Sequence, residues 1–360
     1  MSASNPIPPA RAWADIDLGA LVANARTVLS VSGSRLLPMV KANAYGLGAV
    51  EATRALEAVD PWGYGVVAVE EGTALRRSGI RRPIIVFGPV TDEGADACVQ
   101  DDLRPVVGDL DALERWLARG ERPFHVEIDT GMSRLGFHWR DRELIAEAGR
   151  LLSTAKGWEG VFTHFHSADS DHGSVGTQWD RLNAVVGSLP RRPAMVHAAN
   201  SAAALQGARF AGDLVRPGIF LYGGAAGPRA PQAVVRLRAP VVATRRMAPG
   251  DTVSYGATWR AARPTTIVTI AAGYADGVPR SLGGKGTVEL GGAVYPIAGR
   301  VTMDFTMADV GDAHLPIGTT ATFFGGAISL DAQAAAAGTI SYELLTGLGP
   351  RVPRRYGGHV

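Results

Sequence analysis

Only three of the 36 basic residues are lysines, Lys41, Lys156 and Lys285; all the others are arginines. Arginine keeps its proton near neutral pH and forms no imine, whereas a lysine amine can lose its proton and condense with a carbonyl. In a chain that carries its positive charge on arginine, each lysine raises the question of amine chemistry. Lys156 stands in a Lys-Gly-Trp turn and Lys285 in a Gly-Gly-Lys-Gly loop, and both read as solvated surface residues. Lys41 ends the apolar run Leu36-Leu37-Pro38-Met39-Val40, so a buried strand would deliver its amine to a pocket.

An amine needs a scaffold that brings other groups to it. Between residues 35 and 220, short apolar runs alternate with helix-like spacing. The runs are Arg35–Val40, Tyr64–Val69, Pro83–Phe87, Leu103–Val107, Phe124–Asp129, Gly160–Phe165, Ala194–Ala198 and Leu214–Ile219. Asp109–Arg119 and Arg140–Leu152 are among the helical stretches between them. This alternation predicts an α/β unit, a (β/α)8 TIM barrel rather than an open doubly wound sheet. Gly46-Leu47-Gly48 is followed by Ala49, Val50 and Glu51, so the third glycine of a dinucleotide fingerprint is missing, and it reads as a plain strand-to-helix turn.

Beyond about residue 225 the pattern changes. Gly223–Pro231 reads as a linker, and Arg236–Thr244, Thr265–Ala271, Gly286–Leu290, Ala293–Ile297 and Thr319–Phe324 read as strands separated by turn signals. A C-terminal mostly-β domain follows, with a late helix around Ser341–Leu345 and a loop or short helix at Ala334–Ala337. The expected division is 1–228 for the barrel and 229–360 for the second domain, with the first ~15 residues packing against the latter.

Composition narrows the function. Apolar residues make up 46% and charged residues 19%, which excludes extensive disorder. A net charge of +2 with no basic run argues against nucleic acid or an anionic membrane as partner. A single cysteine, Cys98, excludes an intramolecular disulfide and any multi-cysteine metal site. The opening residues lack the apolar core of a signal peptide, and no apolar stretch is long enough to span a bilayer, so the expected location is cytoplasmic.

In a (β/α)8 barrel, functional groups gather at the C-terminal ends of the strands. That rule collects Lys41, Asp129 with Arg134, His164 and His166, His197 with Asn200 and Ser201, and Arg216 with Gly218 and Ile219. The loops after the seventh and eighth strands are the usual phosphate cradle of this fold, and Ser201 with the amides near Gly218 suits an anion. A phosphate site on one side and a lone amine on another point to pyridoxal phosphate held as an imine. Plainer roles stand beside this one: Ser201 as a helix cap, Arg134 as a surface ion-pair partner. A rival constellation is His164-Phe165-His166 with Asp169, Asp171 and His172, the outline of a metal-dependent barrel hydrolase, although no third ligand group of comparable quality recurs at later strand ends.

The motifs resemble those of bacterial alanine racemases. Val40-Lys41-Ala42-Asn43-Ala44-Tyr45-Gly46 is similar to that family's cofactor-lysine motif. The likeness continues through Asp129-Thr130-Gly131-Met132-Ser133-Arg134-Leu135-Gly136, Thr163-His164-Phe165 and His197-Ala198-Ala199-Asn200-Ser201. Arg216-Pro217-Gly218-Ile219, Val253-Ser254-Tyr255-Gly256, Gly273-Tyr274-Ala275-Asp276-Gly277, Gly299-Arg300-Val301-Thr302-Met303-Asp304 and Ile340-Ser341-Tyr342-Glu343 follow in order over nearly the whole chain.

The resemblance implies a barrel plus β-domain homodimer with active sites shared between subunits, interconverting L- and D-alanine for peptidoglycan. It implies that Lys41 carries pyridoxal 5'-phosphate as an aldimine and acts as one base. Tyr255 from the other subunit is the second base, on the opposite face. It places His164 between Tyr255 and Arg216, and Arg216 against the pyridine nitrogen. Tyr45, Ser201, Gly218 and Ile219 match phosphate contacts, and Arg134 matches the group facing the cofactor's phenolic oxygen. Tyr274, Met303 and Asp304 match the substrate entrance and carboxylate pocket. Readings kept open beside alanine are a serine or broad-specificity racemase of the same fold and a non-catalytic pyridoxal-phosphate carrier.

Four positions depart from the family's pattern. Glu127 stands where many members carry a carbamylated lysine, and its charge is expected to hold Arg134. Leu47 replaces a histidine, and Thr302 replaces a cysteine. Pro350 stands where many members place a phosphate-binding tyrosine, with Tyr356 as the nearby candidate to replace it.

Overall fold

A computed structural model describes residues 11–358. Eight short strands form the first unit's interior: β2 (Arg35–Leu36), β3 (Tyr64–Val66), β4 (Ile84–Val86), β5 (Arg104–Val107), β6 (Phe124–Asp129), β7 (Trp158–Phe162), β8 (Met195–His197) and β9 (Leu214–Val215). Each falls within or overlaps one of the eight apolar runs. Strands of a parallel sheet covered on both faces read as continuous apolar stretches, and all residues of β3, β4 and β6 are buried.

Parallel pairing runs unbroken from β3 to β8. The ring is closed by β9 on β2, with Leu214 opposite Arg35, by Met39 opposite Gly65, and by backbone bonds from Asp213 to Val196 and from Arg216 to Ala199. The outer helices start where aspartates satisfy their first N–H groups. Asp109 Oδ1 accepts from Ala112 at 2.7 Å, and Asp141 Oδ1 accepts from Leu144 at 3.0 Å. Leu113 and Trp116, and likewise Ile145 and Leu152, turn their helices' apolar stripes inward.

The second unit is strand-rich. Its spine is the long strand Val235–Met247, bulged between Val241 and Ala243, which pairs antiparallel with Thr265–Ile270 and with Thr320–Phe324. The N-terminal strand β1 (Trp13–Asp17) joins this sheet, antiparallel to the spine and parallel to Arg354–Gly357. Strands beyond those expected include β1, Thr306–Gly311 and Arg354–Gly357. Ala334–Ala337 belongs to a helix, Leu330–Ala337, capped by Ser329.

The two units meet beside the loop after β2. Arg354 donates to the Gly46 carbonyl at 3.0 Å, and Tyr356 donates to that of Leu47 at 2.9 Å. A Cβ on Gly46 would stand 2.5 Å from the Leu345 carbonyl oxygen, so only glycine lets the helix Ser341–Thr346 come this close.

Candidate active site

Beyond β2 the chain passes Met39, bridged to Gly65, and enters a left-handed turn after Lys41. Ala42, Asn43, Ala44 and Tyr45 have φ of 51°, 54°, 52° and 56°, and the Gly46-Leu47-Gly48 turn then leads into the helix Ala49–Leu56. L-residues in this conformation cost roughly 1 kcal/mol or more each, so the surroundings must impose it. Glu71 Oε1 accepts from the Ala42 amide at 2.6 Å, and Asn43 Oδ1 accepts from Ala49 at 2.8 Å. The Gly46 N–H closes the turn on the Ala42 carbonyl at 2.7 Å. The result sends the Lys41 and Tyr45 side chains into one cavity.

That cavity has a volume of about 350 Å³ and is lined by Lys41, Tyr45, Glu127, Arg134, His164, Ser201, Arg216, Gly218, Ile219 and Tyr342, among others. Burial lowers the Lys41 pKa, and the cations Arg134 and Arg216 lower it further against the opposing pull of Glu71. An amine in this setting is neutral more often than a solvated one, as attack on a carbonyl requires.

The same cavity is lined by Ser201, Gly218 and Tyr45, groups that could form a cradle for an anion. Asn200, not Ser201, caps the short helix Ser201–Ala204, its Oδ1 accepting from Ala203 at 3.1 Å. Ser201 Oγ instead accepts from the Gly218 amide at 2.8 Å, bringing the loops after β8 and β9 together. Tyr45 is buried, stacked on Tyr222 with centroids 4.6 Å apart, and a Cβ on Gly218 would lie 2.2 Å from its hydroxyl. Only glycine leaves this cradle open.

Arg216 is buried at the floor of the cavity. Its NH1 donates to His197 Nδ1 at 2.8 Å, and its NH2 donates to the carbonyls of Thr163 at 2.8 Å and Ala198 at 3.1 Å. Among the described residues its Nε–H has no protein partner and is left to the cavity. Burial pushes the guanidinium pKa down to about 10, still far enough above neutrality to keep it a cation. His164 is pushed down to about 3 by burial, then by Arg216, Arg134 and Lys41, so its ring is neutral. Burial raises the Glu127 carboxyl against the opposing pull of Arg134. Among the described residues no Glu127–Arg134 ion pair closes within 4.0 Å, so the expected holding contact reduces to longer-range attraction. Arg134 rides on a loop pinned by Asp129, whose Oδ1 accepts from Gly131 at 2.9 Å and Ser133 at 3.0 Å.

Tyr255, Tyr274, Met303 and Asp304 do not line this cavity. Tyr255 is 73% exposed on a short turn, Tyr255–Ala257, and Met303 is 52% exposed. Asp304 pairs with Arg351 at 2.7 Å, and the same arginine grips buried Asp276 at 2.7 Å, so the Met303–Asp304 loop is tied down. Tyr356 is held under the loop by Leu47, whereas Tyr342 lines the cavity with its ring 5.9 Å from that of Tyr45. Sequence reasoning placed Tyr342 in a motif but gave it no role; its spacing alone carries no signal. His166 Nδ1 lies 2.6 Å from Ser167 Oγ and is not in the cavity.

Residues 16–226 match the alanine racemase N-terminal domain, and residues 234–356 match the alanine racemase C-terminal domain. The chain belongs to the alanine racemase family.

Among family members it is 39% identical to the alanine racemase of Acidiphilium cryptum over 94% of this chain and 97% of that one. It is 38% identical to that of Deinococcus radiodurans, over 96% and 99%. The alanine racemase of Streptomyces lavendulae superposes with a TM-score of 0.92 at 31% identity, over 98% and 99% of the two chains. That of Bartonella henselae, solved with covalently bound pyridoxal phosphate, superposes at 0.89 with 32% identity, over 97% of this chain and all of that one. The barrel plus strand-rich fold read from the sequence is the fold of this family.

Proposed function

We propose that the protein interconverts L- and D-alanine using pyridoxal 5'-phosphate, with Lys41 and Tyr255 as the two bases. The observation that carries this is one cavity lined by Lys41, by Ser201, Gly218 and Tyr45 as an anion cradle, and by Arg216. When bound, the cofactor supplies an electron sink that makes the α-proton of an amino acid removable. The residues present fit it. Lys41 offers an amine for covalent attachment, and Ser201, Gly218, Ile219 and Tyr45 line an anion cradle. Arg216 presents a cation beside them, and Arg134 adds a second.

Lys41 Nζ, with a lowered pKa, takes or returns a proton on one face of the substrate. Tyr255 Oη does so on the other face, reaching the cavity from a second copy of the chain. Its exposure in its own subunit supports that reading. Tyr274, Met303 and Asp304, on the same surface, would flank the entrance and the substrate carboxylate. His164, neutral and lining the cavity, is placed to contact the arriving phenol. Arg216 stays charged because its pKa, lowered to about 10 by burial, still lies well above neutrality. Such a permanent cation discourages protonation of a pyridine nitrogen and so limits side reactions.

A homodimer with two shared sites follows, as does a division at residues 228 and 229, supported by the two family matches. The proposed setting is the cytoplasm, supplying D-alanine for peptidoglycan. A buried, unpaired Cys98 is in keeping with a reducing compartment, and no described helix is long and apolar enough to cross a membrane.

Subunit mixing tests the shared site. Lys41→Ala and Tyr255→Phe are each expected to be nearly inactive. A remixed sample regains one intact site per hybrid dimer, about a quarter of wild-type sites with random pairing. No recovery in a sample shown to have exchanged subunits would sink the reading.

A further inference from the structure

Behind Arg216 a line of polar groups crosses the barrel interior, and the chemistry above does not use it. Arg216 NH1 lies 2.8 Å from His197 Nδ1, and His197 Nε2 lies 2.9 Å from His125 Nδ1. His125 Nε2 lies 3.3 Å from Glu159 Oε2, which also accepts from Arg104 Nε at 2.8 Å. Both imidazoles are fully buried.

The direction of every bond in this chain is determined. Arginine has no acceptor, so His197 Nδ1 must accept and its proton must sit on Nε2. His125 Nδ1 must then accept from His197, which puts the His125 proton on Nε2, facing a carboxylate that can only accept. A proton added to either ring would set N–H against N–H. Burial, with Arg216 beside His197, lowers both imidazole pKa values and keeps the rings neutral. The fold is built around the line. A Cβ on Gly160 would lie 2.2 Å from His125 Nδ1, so glycine beside Glu159 makes room for the ring. Phe162 stacks on His197 at 5.0 Å, and the Arg216 guanidinium lies 5.0 Å from the centroid of the same phenyl ring.

We propose that Glu159 is a positioning residue for Arg216, acting through the tautomers of His125 and His197. A carboxylate touching Arg216 would orient it and also cancel its charge at the cavity. Two neutral imidazoles in between transmit the orientation and leave the charge facing forward. Hydrogen bonds in such a chain polarise one another, so the far end of the line affects the near end. This rests on the reading that Arg216 faces the bound cofactor.

The test uses holoenzyme labelled with 15N-histidine, its ring signals assigned by difference against His125→Asn and His197→Asn. Both rings are expected neutral and protonated on Nε2; a charged ring or an Nδ1–H tautomer at either would overturn the proposal. Glu159→Gln keeps an acceptor and Glu159→Leu removes it. The amide variant should hold both tautomers and stay within about threefold of wild-type kcat. The leucine variant should scramble the His125 tautomer, shift the cofactor's visible absorbance and lower kcat by about tenfold with little change in KM. Equal behaviour of the two variants would overturn it, as would unchanged tautomers in the leucine form. If Glu159→Leu does not fold, the wild-type tautomers and the amide variant still decide. If the protein takes up no pyridoxal phosphate, the functional reading fails while the ring signals of the same sample still report on the relay.

Discussion

Glu71 accepts the Ala42 amide through Oε1 at 2.6 Å while its Oε2 takes the amides of Val67 at 2.9 Å and Ala68 at 3.1 Å. One carboxylate therefore ties the start of the left-handed turn after Lys41 to the end of the neighbouring barrel strand. Glu71→Ala is expected to destabilise the protein by about 1–3 kcal/mol, because the Ala42, Val67 and Ala68 N–H groups lose their partner. Lys41 should also lose its fixed position. Calorimetry and borohydride trapping of the bound cofactor read the two effects, and an unchanged melting temperature with full trapping would refute the link.

The opening beside Gly218 gives a second expectation. Gly218→Ala places a methyl group 2.2 Å from the Tyr45 hydroxyl, so the cradle must shift. Affinity for free pyridoxal phosphate should fall by about tenfold or more, while Ser201→Ala, which removes one cradle hydroxyl and an acceptor for the Gly218 and Phe220 amides but adds no bulk, should cost less. Fluorescence titration of the cofactor-free protein measures both. The reverse ranking would count against this cradle.

A third expectation concerns acid. His164 is held down to about 3 against an ordinary 6.5, so between those values the unfolded chain binds a proton that the folded chain refuses. Its contribution to stability is fully present above 6.5 and is lost as pH falls toward 3. His125 and His197 shift in the same direction. Replacing His164 with asparagine should flatten the acid limb of a urea-midpoint against pH curve. An identical slope in variant and wild type would show that His164 titrates freely.

Tyr255 is predicted to serve one enantiomer. Tyr255→Phe should slow removal of the α-proton of L-alanine more than that of D-alanine, because Lys41 still addresses the other face. Solvent deuterium exchange followed by NMR separates the two rates. Equal losses would contradict the assignment of one base to each face.

The barrel was legible because strands covered on both faces are uninterrupted apolar runs, as in Ile84–Val86, and because the stretches between them space apolar residues such as Leu113 and Trp116 as a helix does. Arg354–Gly357 was not, since it meets β1 across almost the whole chain and has no periodic signal of its own, and β1 carries only a short alternation over residues 14–17. Thr306–Gly311 does alternate buried and half-buried residues, a period-two pattern that could have been read. The left-handed run through Ala42–Tyr45 has no local signature, because its residues favour it only when Glu71, Asn43 and the neighbouring helix impose it.

The sequence by itself determined the scarce amine at Lys41, the alternation that makes a barrel and the ordered motifs of a family. These are properties of residue type and local spacing, which a chain carries before it folds. The tertiary structure decided that Ser201 joins two loops rather than capping a helix, and that Tyr342 rather than Tyr356 faces the cavity. It also decided that Tyr255 is exposed and does not line the cavity, and that two buried imidazoles link Arg216 to Glu159. Each of these depends on atoms from distant segments approaching within about 3 Å, a distance set by how strands and helices pack and not by any one segment's composition.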